Sequence, residues 1–334
     1  MKISPKSYFA AAAVFLQGSA LLLNILLQDL RHEAWIAFLV AAVISVFLLY
    51  YMGNEDIYTL AIKKLGNRFG KILSIVYAVY FLLAASYNIN LLSSFVSGYV
   101  LRETPRAAFA ILFTVLCVYG AKNGYDNLLR LSFVFFAVAL VSNTINVFLL
   151  RDKFNFTNFL PLSGMGFKGT ITAATLLVLD ASVFLCFARS RKNTVLGFIS
   201  GTVFLLATIL CNIGVLGSVI SIYTWPTHEA LRIINSGNTL ARVETSSVFV
   251  MVAIMFFKVC LTLCAGAEGI KKITNINKNY IPTLLGGVII FVVSLLIFQS
   301  GAEAMDWFRK YGAYIILPLG AVIPGVLKAI TTKK

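Results

Sequence analysis

Two ionisable residues stand inside long apolar runs, Asp180 in TITAATLLVLDASVFLCF and Lys258 in VFVMVAIMFFKVCLTLC. A lone charge at the centre of a bilayer costs about 2.5–3.5 kcal/mol on insertion scales. Such a residue has a partner or faces a cavity, so both are candidates for binding a polar ligand or moving an ion. Blander readings stay open. Lys258 could snorkel or hold neighbouring helices through their carbonyls, and Asp180 could bond a nearby hydroxyl such as Ser182. A direct Asp180–Lys258 pair is compatible with the sequence, but 78 residues of separation set no distance. A lysine able to release a proton there would suit a proton-coupled site.

The first apolar run carries Gln17, Gly18 and Ser19 at its centre. Glycine is the poorest helix former after proline. A break there would free backbone groups and a helix end for a ligand, as in transporters with discontinuous helices. The alternative is a glycine that lets two helices pack closely. Amides and hydroxyls cluster twice more, as Tyr87, Asn88 and Asn90 and as Ser142, Asn143 and Asn146. They read either as interhelical hydrogen bonds or as the lining of a path. Enzyme motifs are thin. His32 and His228 sit in loops beside Glu33 and Glu229, outside any H-E-x-x-H pattern, and no phosphate loop occurs. The five cysteines all lie in apolar runs; Cys260 and Cys264 share a helix face, without the further Cys or His a metal needs. No enzyme activity, metal or cofactor is expected.

The elements that position these residues follow from composition. The 334 residues are 59% hydrophobic and 12% charged. A soluble domain carries roughly 25% charged residues. A water-soluble enzyme, a disordered chain and a disulfide-stapled module are excluded, and the runs do not alternate as barrel strands do. The expectation is an all-α polytopic membrane protein, one integral domain over 1–334, with about ten transmembrane helices. The spans are expected near 8–28, 35–52, 71–100, 105–119, 128–150, 168–188, 194–222, 246–270, 282–299 and 311–329. The net charge of +15 reads as topogenic charge and contact with anionic membrane lipid, not nucleic acid. With the N-terminus inside, 17 Lys and Arg are internal and 10 external, which predicts cytoplasmic termini. Trp35, Trp225 and Trp307 then fall at external ends. Residues 226–234 and 55–65 pattern as short amphipathic helices.

Several segments together resemble one family. Residues 66–105 (GNRFGKILSIVYAVYFLLAASYNINLLSSFVSGYVLRETP) are similar to the third span and Thr-Pro turn of GerAB-type spore germination permeases, grouped with ArcD- and ProY-type amino-acid transporters. Tyr119 to Arg130 resembles the stretch before span five, and Asn158-Phe159-Leu160-Pro161 the element before span six. Trp225-Pro226-Thr227 with Arg232, Arg242 and Glu244 resembles the loop before span eight, and Phe257-Lys258-Val259 a motif within it. The resemblance implies the amino acid–polyamine–organocation fold, five helices repeated with inverted topology, spans one and six being broken at a central site. It implies a germinant-receptor B subunit in a cell membrane or inner spore membrane, beside A- and C-type subunits. Such a subunit binds a small nutrient, an amino acid above all. A stand-alone proton-coupled amino-acid transporter is the alternative.

On that footing Gly18 and Ser19 would meet a carboxylate, and Asp180 and Ser182 an amino group. Lys258 would stand in for a coupling cation, and Gln17, Tyr87, Asn88 and Asn143 would line the path. The chain departs from the family pattern where unwinding is expected. Ala20 replaces a second glycine, span one lacks proline, and Leu179-Asp180-Ala181-Ser182 contains no glycine.

Overall fold

The computed structural model describes residues 4–160, 166–187, 189–234, 243–274 and 280–331. Pro161 and Arg242, which contribute to the resemblance, lie outside them. Most of the described residues are helical, and none forms a strand. The helices are α1 (Pro5–Gln17), α2 (Ala20–Leu30), α3 (Ala34–Met52), α4 (Ile57–Phe95), α5 (Arg106–Ala121), α6 (Tyr125–Leu150), α7 (Phe167–Phe184), α8 (Arg191–Leu216), α9 (Pro226–Ile234), α10 (Val243–Thr274), α11 (Tyr280–Leu296), α12 (Gly301–Trp307), α13 (Ala313–Leu317) and α14 (Ile323–Thr331). Seven helical stretches are long and apolar enough to cross a membrane. This is an integral membrane protein. Not every expected span meets that standard: α1 has 13 residues, α5 16 and α11 17.

Burial separates the core from the lipid face. Ala10 through Leu16 of α1 are fully enclosed, as expected of a helix apolar all round at the centre of a bundle. On α3, by contrast, Val43 and Phe47 are 70% and 66% exposed, which in a bilayer means contact with lipid. The alanines of α1 let α8 approach closely. A Cβ added at Gly201 would lie 2.9 Å from the Ala13 carbonyl oxygen, and one at Gly197 would strike the Phe9 carbonyl. Small residues four apart serve this purpose in membranes, where packing rather than hydrophobicity joins helices.

Two expected segments merge. The amphipathic helix at 55–65 and the third span form one element, α4, kinked at Gly66 with φ 76°. Asp56 caps its start by accepting from the Thr59 N–H. The helix expected after Trp225 is α9. The last span is longer than expected: α12, α13 and α14 are joined through π-helical turns at Phe308–Gly312 and Pro318–Val322.

Candidate functional site

Only Gly18 and Ser19 separate helix α1 from α2. The interruption is narrow: Gly18 has φ −62°, ψ −10° and Ser19 φ −86°, ψ 2°, and the Ser19 N–H bonds the Leu16 carbonyl three residues back. Wide unwinding is absent, in line with Ala20 and the missing proline. Helix α7 departs further from the implied pattern. It runs unbroken through Asp180 to Phe184. Leu179-Asp180-Ala181-Ser182 offers no helix breaker, so the break implied for span six does not form at Asp180.

At the α1–α2 break three buried side chains meet. Lys258 Nζ lies 2.6 Å from Asp180 Oδ1, and both side chains are 1% exposed. The Ser19 hydroxyl sits between them, accepting from Lys258 and donating to the second Asp180 oxygen. Lys258 Nζ also stands 4.8 Å from the centre of the Phe15 ring, a cation–π contact that helps replace lost hydration. Gly18 makes room for this lysine, since a Cβ there would lie 2.7 Å from Lys258 Cδ. Helices α1, α2, α7 and α10 are thereby tied at one point. Each charge has its counter-charge and hydrogen bonds, the condition under which buried ions are tolerated.

Beside this knot is a cavity of about 110 Å³, open toward the end of the bundle that carries Trp225. Gln17 and Asn143 share its wall: Asn143 donates to Gln17 Oε1 at 2.9 Å, and Gln17 donates onward to the Gly201 carbonyl at 3.3 Å. Asn146 accepts from Ser247, and Asn212 donates to Thr227. Asn24 also lines the cavity. Its amide nitrogen bonds the Leu21 carbonyl, while its buried Oδ1 has no partner. Asn24 and Asn212 were not singled out in the sequence, and Thr227 figured only in the resemblance of its loop. An amide within the first apolar run is the signal that could have drawn attention to Asn24.

The other expected residues sit elsewhere. Ser182 bonds the Leu179 carbonyl and Tyr80 OH and is not among this cavity's lining residues. Tyr87 donates to the Ala304 carbonyl, and Asn88 to the Ala84 carbonyl of its own helix. Neither lines the cavity. Ser19, Asp180 and Lys258 are not among its lining residues; they face one another.

Contacts tie the helices together at both ends of the bundle. Arg309 bonds Asp29 at 2.9 Å, Asp306 at 2.7 Å and Gln28, and Gln28 donates to the Tyr223 carbonyl, strapping α2 to the last span. At the opposite end Tyr125 stacks on Phe187 at 3.7 Å, and Phe15 meets Phe184 edge-on at 5.1 Å. Among the described residues no group of three or more His, Cys, Asp or Glu could hold a metal.

The profile of one family, described as "Spore germination protein", matches residues 2–301. The chain belongs to the spore germination protein family. Among relatives it is similar to spore germination protein KB of Bacillus subtilis (25% identical, covering 97% of this chain and 92% of that protein). Spore germination protein YndE of the same organism is 23% identical over 80% of this chain and 79% of its own length. Among solved structures the fold is similar to Mhp1, a nucleobase-cation-symport-1 family transporter captured closed with bromovinylhydantoin bound. The TM-score is 0.71 at 14% identity, covering 98% of this chain and 77% of that one. A Na+-coupled sialic acid symporter gives a TM-score of 0.64 at 10% identity, covering 95% and 79%. The likeness to these two proteins is one of fold.

Proposed function

We propose that this chain is a germinant-receptor B-type subunit that binds a small nutrient in the cavity above the Ser19–Asp180–Lys258 knot. In this reading ten spans form a 5+5 inverted repeat with both termini cytoplasmic, and A- and C-type subunits complete the receptor in a cell membrane or inner spore membrane. The observation that carries it is the pairing of a cavity edged by amide side chains with a buried ion pair at a helix break. Asp180 needs a compensating positive charge. A symporter can meet that need with a bound cation; here a covalently fixed lysine does so.

An amino acid is the nutrient class that suits the cavity wall. The unpartnered Oδ1 of Asn24 is an acceptor for an ammonium group, and the Gln17–Asn143 pair offers both donors and acceptors. Ser19 and Asp180 would sense the ligand through Gln17, two residues from Ser19. Relatives named for spore germination support the receptor reading. The similarity in fold to two transporters that hold small polar molecules supports the second reading, a stand-alone proton-coupled transporter in which Lys258 releases and regains the proton.

Reconstituting the protein alone in proteoliposomes separates the two. Labelled amino acids are offered with and without an imposed inward proton gradient. Ligand-induced thermal stabilisation without flux is the expected result for a receptor subunit. Gradient-driven accumulation that disappears in Lys258→Ala would replace the receptor reading with the transporter reading.

A further inference from the structure

A second cavity, of about 460 Å³, lies on the lipid-facing side of the bundle. Ile75, Val79 and Leu83 of α4 form one wall, Ile297 beyond α11 and Ile315 and Leu319 of the last span the others. The lining is almost wholly hydrocarbon. The two π-turns in the last span displace it from a straight helix beside this groove.

Aromatic rings crowd one end of the groove. They are those of Tyr87, Phe298, Trp307 and Phe308, with Tyr87 5.9 Å from Phe298 and 5.7 Å from Phe308, and Phe298 5.7 Å from Trp307. From Ile75 to Tyr87 the floor extends about 18 Å at the helical rise. That is close to one leaflet of a hydrocarbon core about 30 Å thick. Beyond the other end Lys71 precedes Ile75 by four residues and Arg68 precedes Lys71 by three, so both share the groove's face of α4. Among the described residues neither forms an ion pair.

We propose that this groove binds one acyl chain of an anionic phospholipid, with its phosphate against Lys71 and Arg68. A slot about one leaflet long, greasy along its length, capped by aromatic rings at one end and with two basic residues beyond the other, matches both parts of such a lipid. The site is joined to the knot. Tyr80 and Leu179 line the groove; Tyr80 OH lies 3.1 Å from the Ser182 hydroxyl, and Leu179 precedes Asp180. A bound chain therefore presses on the back of the helix that carries Asp180.

The test uses the full-length chain with Trp307 as its only tryptophan (Trp35→Phe, Trp225→Phe). It is reconstituted in phosphatidylcholine containing small fractions of lipid brominated near the chain's methyl end. Bromine quenches indole fluorescence on contact. Brominated phosphatidylglycerol is expected to quench Trp307 at roughly a tenth of the mole fraction that brominated phosphatidylcholine requires, given two basic groups at the membrane surface. Arg68→Gln with Lys71→Gln should bring the two curves together. Val79→Phe with Leu83→Phe, both at lipid-exposed positions, should fill the slot and remove the excess. Equal curves for the two lipids in the starting protein, or an excess that survives either pair of substitutions, would mean ordinary boundary lipid and overturn the proposal. Native mass spectrometry of the unsubstituted protein provides a second readout. Retained phosphatidylglycerol that falls with Arg68→Gln and Lys71→Gln supports the site, and no retained phosphatidylglycerol overturns it.

Discussion

Replacing Lys258 by methionine should strand the Asp180 carboxylate in a site only 1% exposed, with the Ser19 hydroxyl as its remaining partner. Removing one member of a buried ion pair costs about 3–5 kcal/mol. Asp180→Asn strands the lysine instead, but the Ser19 oxygen and the Phe15 ring 4.8 Å away still face Nζ. A desolvated cation–π contact is worth about 2 kcal/mol, so this variant should fall at the lower end of that range. The double variant Lys258→Met with Asp180→Asn has no charge to strand, and the Asn oxygen still accepts from Ser19. Its stability should lie within about 1 kcal/mol of the parent, since neutralising a buried pair is often close to neutral. The interaction energy across the cycle is then about 5 kcal/mol or more. The assay is reversible unfolding by sodium dodecyl sulfate in mixed micelles, followed by far-ultraviolet circular dichroism. Single-variant losses that add in the double variant to within about 0.5 kcal/mol would refute the coupling.

Other outcomes follow from the same geometry. Gly18→Ala places a Cβ 2.9 Å from Lys258 Cβ, an atom fixed to its backbone; the resulting separation of α1 from α10 should cost about 1–3 kcal/mol in the same unfolding assay. Arg309→Ala releases α2 from the last span, and Cys211, which lines the cavity, should then react several-fold faster with a small thiol reagent added from the Trp225 side; an unchanged rate would mean the strap does not control access. Gln17→Leu and Asn143→Leu each remove a side-chain partner at the cavity wall and should weaken ligand-induced thermal stabilisation by about fivefold in ligand concentration, at roughly 1 kcal/mol per hydrogen bond.

The charged members of the site were legible because a charge in an apolar run is expensive wherever the run packs. Their pairing was not, because Asp180 and Lys258 are 78 residues apart. Polar neutral residues carried less information. Asn88 can satisfy its amide nitrogen on the Ala84 carbonyl at 2.7 Å, so its presence in a span implies no path. Ser182 is one turn from α7's end and within two residues of Asp180, yet its hydroxyl turns to Tyr80. The break in α1 was foreshadowed by Gly18, and the continuity of α7 by the lack of any glycine or proline near Asp180. The implied break in span six came from resemblance, and the local residues outweighed it. The lipid-facing groove could not be read from α4 alone, because Ile75, Val79 and Leu83 look like any lipid-facing stripe until the last span stands beside them.

The knot also bears on what the ligand must do. Passage of a substrate from the Trp225 end to the opposite end requires α1 and α2 to move relative to α7 and α10, and these are the elements that Ser19, Asp180 and Lys258 join. Pulling the charges apart without another counter-charge would cost about 3–5 kcal/mol. A ligand shifts such an equilibrium only by its difference in affinity between the two states. A neutral ligand that never reaches Asp180 supplies none of that difference and leaves the knot shut. An ammonium group that displaces Lys258 from Asp180 supplies it directly, and so does a proton transferred between the two. Signalling by contact with Gln17, one helix turn or less from the knot, needs a smaller bias and no passage. The receptor reading therefore predicts ligand stabilisation that persists in the charge-free double variant, because binding in the cavity does not depend on opening the pair. The transporter reading predicts that flux vanishes in that variant while binding remains.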